Sequence, residues 1–361
     1  VKRALVIRLG GIGDNLIASS VLPLLAREYT VDVMAQDPQH CVFENNRHIT
    51  GRLIVKKQGD IPPGDAWQQY FAERAKEYDF CVNLSHSLET KLALFKNETA
   101  FWWPEAFRRR ICGHNYLEYI HDLCGVEHDF TEGPRFYPTD AEMDKAAETL
   151  EKVAPHSNET GHPLRKVIGI PISGSRIDKS WPFLPLLCAR MLERLPVAIV
   201  LFGDGERDLL IAEHVQDFVK LWRGTLDHIH AAITVKGKAE WPIRRALTTL
   251  RLCDLVLTPD TGLAWGVAMH RIPKVVLVSH ASVDNITKHW RNTETLHADP
   301  ERVSCWPCHR LHDDPSTCRK GPDDVMPSAA CMADISHEAV FAAVERGLST
   351  EKRATLPLAA E

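Results

Sequence analysis

Residues 3–14 read RALVIRLGGIGD, a short apolar run that ends in three glycines and a carboxylate. Ala4–Arg8 has the length and character of a buried strand, and a helical apolar period runs from about Asp14 to Arg27. Between them Gly10, Gly11 and Gly13 let the chain turn sharply and expose the amides of a helix start, where anions are favoured. The run Gly-Gly-Ile-Gly does not match the dinucleotide fingerprint G-x-G-x-x-G. Pro23 predicts a kink or an early end for the helix. Asp14 has two readings: a helix cap, or a general base at the carboxyl edge of a sheet, facing a cleft.

Outward from this loop the same strand–loop–helix pattern recurs. Val31–Ala35 and Phe80–Leu84 read as strands, and the polar stretch 155–165 has linker composition. The pattern then restarts. Val167–Pro171 leads to Ser173-Gly174-Ser175, Val197–Phe202 to Gly203-Asp204-Gly205, and Leu255–Thr258 to Asp260-Thr261-Gly262, with Lys274–Val278 closing the series. The alternation predicts an α/β chain of two doubly wound, Rossmann-like halves, residues 1–160 and 161–335, with a cleft between them. Ser336–Arg346 reads as a last helix stopped by Gly347, with 348–361 as a loose tail.

A chain of 361 residues suits two domains at roughly 150 residues each. Its 44% hydrophobic and 25% charged shares are those of a globular protein. The net charge of −5 provides no basic field for nucleic acid or an anionic membrane, which argues against a nucleic-acid partner. The run Arg108-Arg109-Arg110 reads as a solvated face. No apolar stretch approaches the roughly 20 residues of a membrane span, and Ala4–Leu9 is too short for a signal-peptide core, so a cytoplasmic location is expected.

The three second-half loops share one geometry, each following the carboxyl end of a strand, which is the ligand edge of such sheets. Ser173, Gly174 and Ser175 offer hydroxyls and close backbone approach to phosphate oxygens. Lys179 is either surface decoration or a cation for a diphosphate. Thr261 and the amides after it can hold phosphate, or simply cap a helix.

Ten cysteines in a cytoplasmic chain do not suggest a disulfide framework. Cys41, Cys81, Cys112, Cys124, Cys188 and Cys253 are scattered beside apolar residues and read as small buried hydrophobes. Cys305, Cys308, Cys318 and Cys331 instead form C-x2-C-x9-C-x12-C, four thiolates suited to one tetrahedral structural ion. Zinc and iron both fit, His309 and His312 are alternative ligands, and unrelated thiols are the plainer reading.

Taken together, IRLGGIGD-x8-P, ISGS-x3-KSWP, LFGDGERD and TPDTGLAW resemble the successive signatures of the ADP-heptose heptosyltransferases, the family-nine glycosyltransferases. The resemblance covers residues 3–30 and 165–280. It implies a GT-B fold and inverting transfer of a sugar from ADP-heptose, or a related nucleotide sugar, without a catalytic metal. It further implies Asp14 as general base, Lys179 opposite the leaving diphosphate, Asp260, Thr261 and Gly262 as donor-binding residues, and Glu206 at the ribose. Gly11, Gly13, Ser173, Gly174, Ser175 and Gly203 complete the expected donor set. Two positions depart from the pattern: Trp265 replaces a usual histidine, and Gly10-Gly11 stand where serines are frequent. The cysteine cluster resembles the iron finger of the autotransporter heptosyltransferases, which modify protein serines and form ring-shaped homo-oligomers. The acceptor is therefore a saccharide or a protein. A nucleotide-sugar epimerase and a non-catalytic sugar-nucleotide-binding assembly protein are the competing readings.

Overall fold

The computed structural model describes residues 1–57, 59–62, 66–85, 99–155, 165–174, 176, 179–235, 241–311, 318 and 328–349. Its first half runs β1 (Arg3–Arg8), α1 (Ile12–Ser19), α2 (Leu22–Leu25), β2 (Thr30–Gln36), β3 (Leu53–Lys56), α3 (Ala66–Ala75) and β4 (Phe80–Asn83). Helices α4 (Glu105–Cys112), α5 (Tyr116–Cys124) and α6 (Asp140–Val153) follow. The strands form a parallel sheet in the order β3-β2-β1-β4. Strand β1 is buried from Ala4 to Arg8, so its apolar run is continuous rather than alternating. The expected first helix is two helices, because Pro23 sits in the first turn of α2, where its missing N–H costs nothing.

The second half runs β5 (Lys166–Pro171), α7 (Leu184–Arg194), β6 (Val197–Asp204), α8 (Glu206–Arg223), β7 (Ile229–Thr234), α9 (Ile243–Leu252) and β8 (Leu255–Pro259). It continues with α10 (Gly262–Trp265), β9 (Lys274–Val278), α11 (Val283–Ile286), β10 (Thr293–His297), α12 (Ala330–Ala333) and α13 (His337–Ser349). Its parallel sheet has the order β10-β9-β8-β5-β6-β7, so successive strands leave β5 in opposite directions. The loops after β5 and β8 flank that reversal, the position at which doubly wound sheets bind ligands.

One apolar cluster joins Val6 and Leu16 of the first half to Ala264, Trp265 and Trp290 of the second. The halves therefore share a core at the inner edge of the cleft. Gly347 does not stop the last helix but lies within α13, where an added Cβ would stand 2.5 Å from Leu255 Cδ1. Its role is close packing on the β8 strand. Arg108-Arg109-Arg110 is likewise no uniform solvated face: Arg108 is buried over the Phe101 ring and Arg109 donates to backbone carbonyls of the cysteine segment. Of the six scattered cysteines, Cys112, Cys124, Cys188 and Cys253 are buried, whereas Cys41 and Cys81 are half-buried. No described helix is long and apolar enough to cross a membrane. Most of the linker stretch, and the tail beyond Ser349, lie outside the described residues.

Candidate functional site

Asp14 sits in the first turn of α1, and both of its readings have a physical counterpart. One oxygen accepts from the Gly11 N–H at 3.0 Å, which caps the helix. The other meets the Arg8 guanidinium at 2.7 Å. Arg8 is buried and also donates to the Leu84 carbonyl, so β1 and β4 fix it. The Asp14 side chain nonetheless stays 41% exposed. Each carboxylate oxygen has two lone pairs, so capping and ion pairing leave acceptor capacity facing the cleft. The left-handed φ of Gly10 (+150°) lets the loop fold over Asp14, where a Cβ would lie 2.9 Å from Oδ2.

In the second half Lys179 Nζ donates to Asp260 Oδ2 at 2.9 Å, with both side chains largely buried. Lys179 is no surface decoration. Gly174 makes this placement possible, since a Cβ there would stand 2.6 Å from Lys179 Cδ. Thr261 caps the four-residue α10 through its hydroxyl, which accepts from Ala264 N at 3.3 Å.

Ser173 and Gly203 are linked by a residue the motif reading passed over. Asp208, buried in the first turn of α8, accepts from the Ser173 hydroxyl with one oxygen and from the Asp204 N–H at 2.9 Å with the other. Gly203 has no side chain because a Cβ would meet Asp208 Cβ at 2.6 Å. Arg207 adds a donor to Ser173 Oγ at 2.8 Å and another to the Gly174 carbonyl. The loops after β5 and β6 are thus one hydrogen-bonded unit.

These elements border a single cleft of about 1570 Å³. Asp14, Gly11, Gly13, Ser173, Gly174, Lys179, Gly203, Glu206, Asp260, Thr261 and Gly262 all line it. Ser175 lies outside the described residues. Trp265 is buried against Trp290 (ring centroids 4.9 Å) and against Gly13, where a Cβ would stand 3.2 Å from its ring. It fills space between the halves that a histidine would leave polar.

No family model and no curated protein sequence matches the chain. Solved structures do. A family 9 glycosyl transferase from Veillonella parvula shares 16% identity and a TM-score of 0.66 over 97% of this chain and 98% of that one. ADP-heptose LPS heptosyltransferase II of Escherichia coli gives 16% and 0.61 over 96% and 98%. TibC of enterotoxigenic E. coli, an iron-containing dodecameric glycosyltransferase, gives 12% and 0.57 over 98% and 80%. The fold is GT-B.

Two further features of this GT-B molecule tie its halves together beside the cleft. Arg244 of α9 reaches into the first half, pairing with both oxygens of Glu142 at 2.6 and 2.7 Å and donating to the Cys41 and Tyr137 carbonyls. Its hydrogen bond holds the Glu142 carboxyl down to about 2. Sequence reading missed Arg244 because its partners lie about a hundred residues or more away.

The cysteine segment is the second tie. Arg109 Nη1 of α4 donates to the Pro307 carbonyl at 2.6 Å, and His309 N to the His280 carbonyl at 2.8 Å. Cys308 is buried and Cys305 exposed. Burial pushes the Cys308 thiol up; the Arg310 N–H, 3.4 Å from its sulfur, opposes the rise, and Cys305 and Cys318 add to it. Among the described residues no three His, Cys, Asp or Glu side chains stand together as a metal-ligating group. His312 lies outside the described residues. Cys305, Cys308, Cys318 and Cys331 are all described, and the expected ligand set is not gathered in this arrangement of their side chains.

Proposed function

We propose that the chain is an inverting glycosyltransferase of the ADP-heptose heptosyltransferase family, moving heptose or a related sugar from ADP-heptose to a hydroxyl of a saccharide or protein acceptor. The observation that carries this reading is that Asp14, from the first half, and the Lys179–Asp260 pair, from the second, line one cleft. The GT-B likeness to heptosyltransferases supports it.

The acceptor oxygen attacks the anomeric carbon while its proton passes to Asp14, since a hydroxyl is a weak nucleophile without a base. The bond from that carbon to the diphosphate oxygen breaks, and its electron pair leaves with the nucleoside diphosphate. A single displacement inverts the anomeric centre. Lys179 meets the charge that grows on the departing oxygen, and Asp260 keeps its ammonium in place beforehand. Gly11, Gly13, Ser173, Gly174, Ser175, Gly203, Thr261 and Gly262 supply close backbone approach and hydroxyls to the donor, with Glu206 at the ribose. A positioned base contributes about a hundredfold to ten-thousandfold in rate.

Cys305, Cys308, Cys318 and Cys331 would hold one structural iron or zinc ion, which cross-links its own loop and takes no part in transfer. A homo-oligomeric state and a cytoplasmic location belong to the same reading; among the neighbours TibC is dodecameric. Mass spectrometry of saccharide and protein acceptors incubated with ADP-heptose and a panel of nucleotide sugars tests the function. A mass increment of one glycosyl unit is expected. Failure of every donor to modify any acceptor, with the donor still bound, would leave the non-catalytic reading in its place.

A further inference from the structure

Arg310 lines the cleft although it stands 45 residues beyond Trp265, the preceding lining residue. It reaches the cleft on the cysteine segment, which is docked from several directions. The Trp306 ring stacks on His297 of β10 at 4.2 Å, Arg109 of α4 holds the Pro307 carbonyl, and Leu311 packs on Cys112 at the end of α4. Within the segment the Arg310 N–H points at Cys308 Sγ. His309 and Arg310 both have left-handed backbones, at φ +47° and +60°, a conformation that side chains other than glycine hold only where their surroundings impose it. The segment is therefore built so that residue 310 emerges at the cleft.

Charge gives that placement a use. Among the described lining residues there are seven Asp or Glu and seven Lys or Arg, Arg310 included. A cleft so balanced has no excess of cation for a diphosphate, and losing any one base tips it negative.

We propose that Arg310 is an anion-binding residue of the cleft, positioned by the cysteine knuckle, and that it takes a phosphate oxygen of the donor diphosphate or of a phosphorylated acceptor. The donor and acceptor roles rest on the glycosyltransferase reading; the anion site itself does not. The knuckle then acts on the cleft through one side chain, in addition to holding its own loop.

Calorimetry on the full chain tests this with two probes, ADP and inorganic phosphate, the second titrated into ADP-saturated protein. Arg310→Gln should weaken one of them tenfold or more, and Arg310→Lys should restore part of the loss. A loss for ADP assigns the donor diphosphate; a loss for phosphate alone assigns the acceptor side. Cys308→Ser, confirmed as folded by a cooperative melt, should show the same loss, and the double variant no more than either single one. Unchanged affinity for both probes in Arg310→Gln overturns the proposal, as does a wild-type chain that binds neither. Wild-type affinity in Cys308→Ser overturns the positioning role of the knuckle. Failure of the glycosyltransferase reading would show separately, as ADP binding without transfer from any nucleotide sugar.

Discussion

Gly13 and Gly262 meet backbone to backbone across the two halves: a Cβ on Gly13 would stand 3.1 Å from Gly262 Cα, and one on Gly262 3.0 Å from the Gly13 nitrogen. The glycine loop of each half is thus a packing surface for the other. Replacing either by Ala forces backbone to yield, so Gly13→Ala and Gly262→Ala should each cost about 1–3 kcal/mol of stability. Both should also weaken ADP binding, because the loops separate together. Thermal melts with and without ADP check this, and wild-type values for both variants would show that the contact is slack.

Asp14→Asn keeps the shape of the side chain and the hydrogen bond from Gly11, but removes the proton acceptor and the charge opposite Arg8. Transfer should fall roughly a hundredfold or more, while ADP affinity changes little. Near-normal turnover would reduce Asp14 to a helix cap.

Gly174→Ala and Lys179→Ala should share a defect. The added methyl would enter the space of the lysine stem, so the ammonium leaves Asp260. Each substitution should weaken ADP binding and slow transfer by about tenfold or more. The pair should be non-additive, since both remove one interaction. Additive losses in calorimetry would separate Gly174 from Lys179.

The Glu142–Arg244 clasp predicts a pH dependence. Glu142 titrates at about 2 in the folded chain against an ordinary value of 4.5. A depressed carboxyl contributes stability that is complete above 4.5 and is lost as pH falls toward about 2. Melting temperature should therefore drop through that window in the wild type and less steeply in Glu142→Gln, which starts lower. Equal slopes in the two proteins would detach Glu142 from acid stability.

Purified under reducing, chelator-free conditions, the protein should carry about one iron or zinc ion per chain. Changing Cys305, Cys308, Cys318 or Cys331 to Ser should lower that content. Iron would show a thiolate charge-transfer colour that disappears with it. Elemental analysis that finds no metal returns the four thiols to packing roles.

What the sequence made legible was local. Strands buried on both faces, such as β8 and β9, are near-continuous apolar runs, broken only by Thr258 and Lys274, and stand out at once. The strands that went unread, β3, β7 and β10, lie at or beside sheet edges, where half-buried faces admit Lys56, His230 and Glu294 into the pattern. Among candidate site residues, the glycine loops were legible because turn chemistry is written in adjacent positions. Arg8, Asp208 and Arg244 were not, because an ion pair or a tether has no sequence period. Asp208 lies inside the LFGDGERD stretch, yet its tie to the hydroxyl of Ser173, 35 residues away, has no signal in adjacent positions.

Gly347 couples the last helix to the strand that leads into the cleft. Its helix sits on Leu255, the first residue of the strand that ends one residue before Asp260. A larger side chain at 347 would push on the near end of that rod, and a rod transmits displacement along its length. Position 347 is therefore a lever on the lysine–aspartate pair, set at the other end of the strand that leads to Asp260. In a survey of natural variation it should behave as a catalytic position while looking like a structural one.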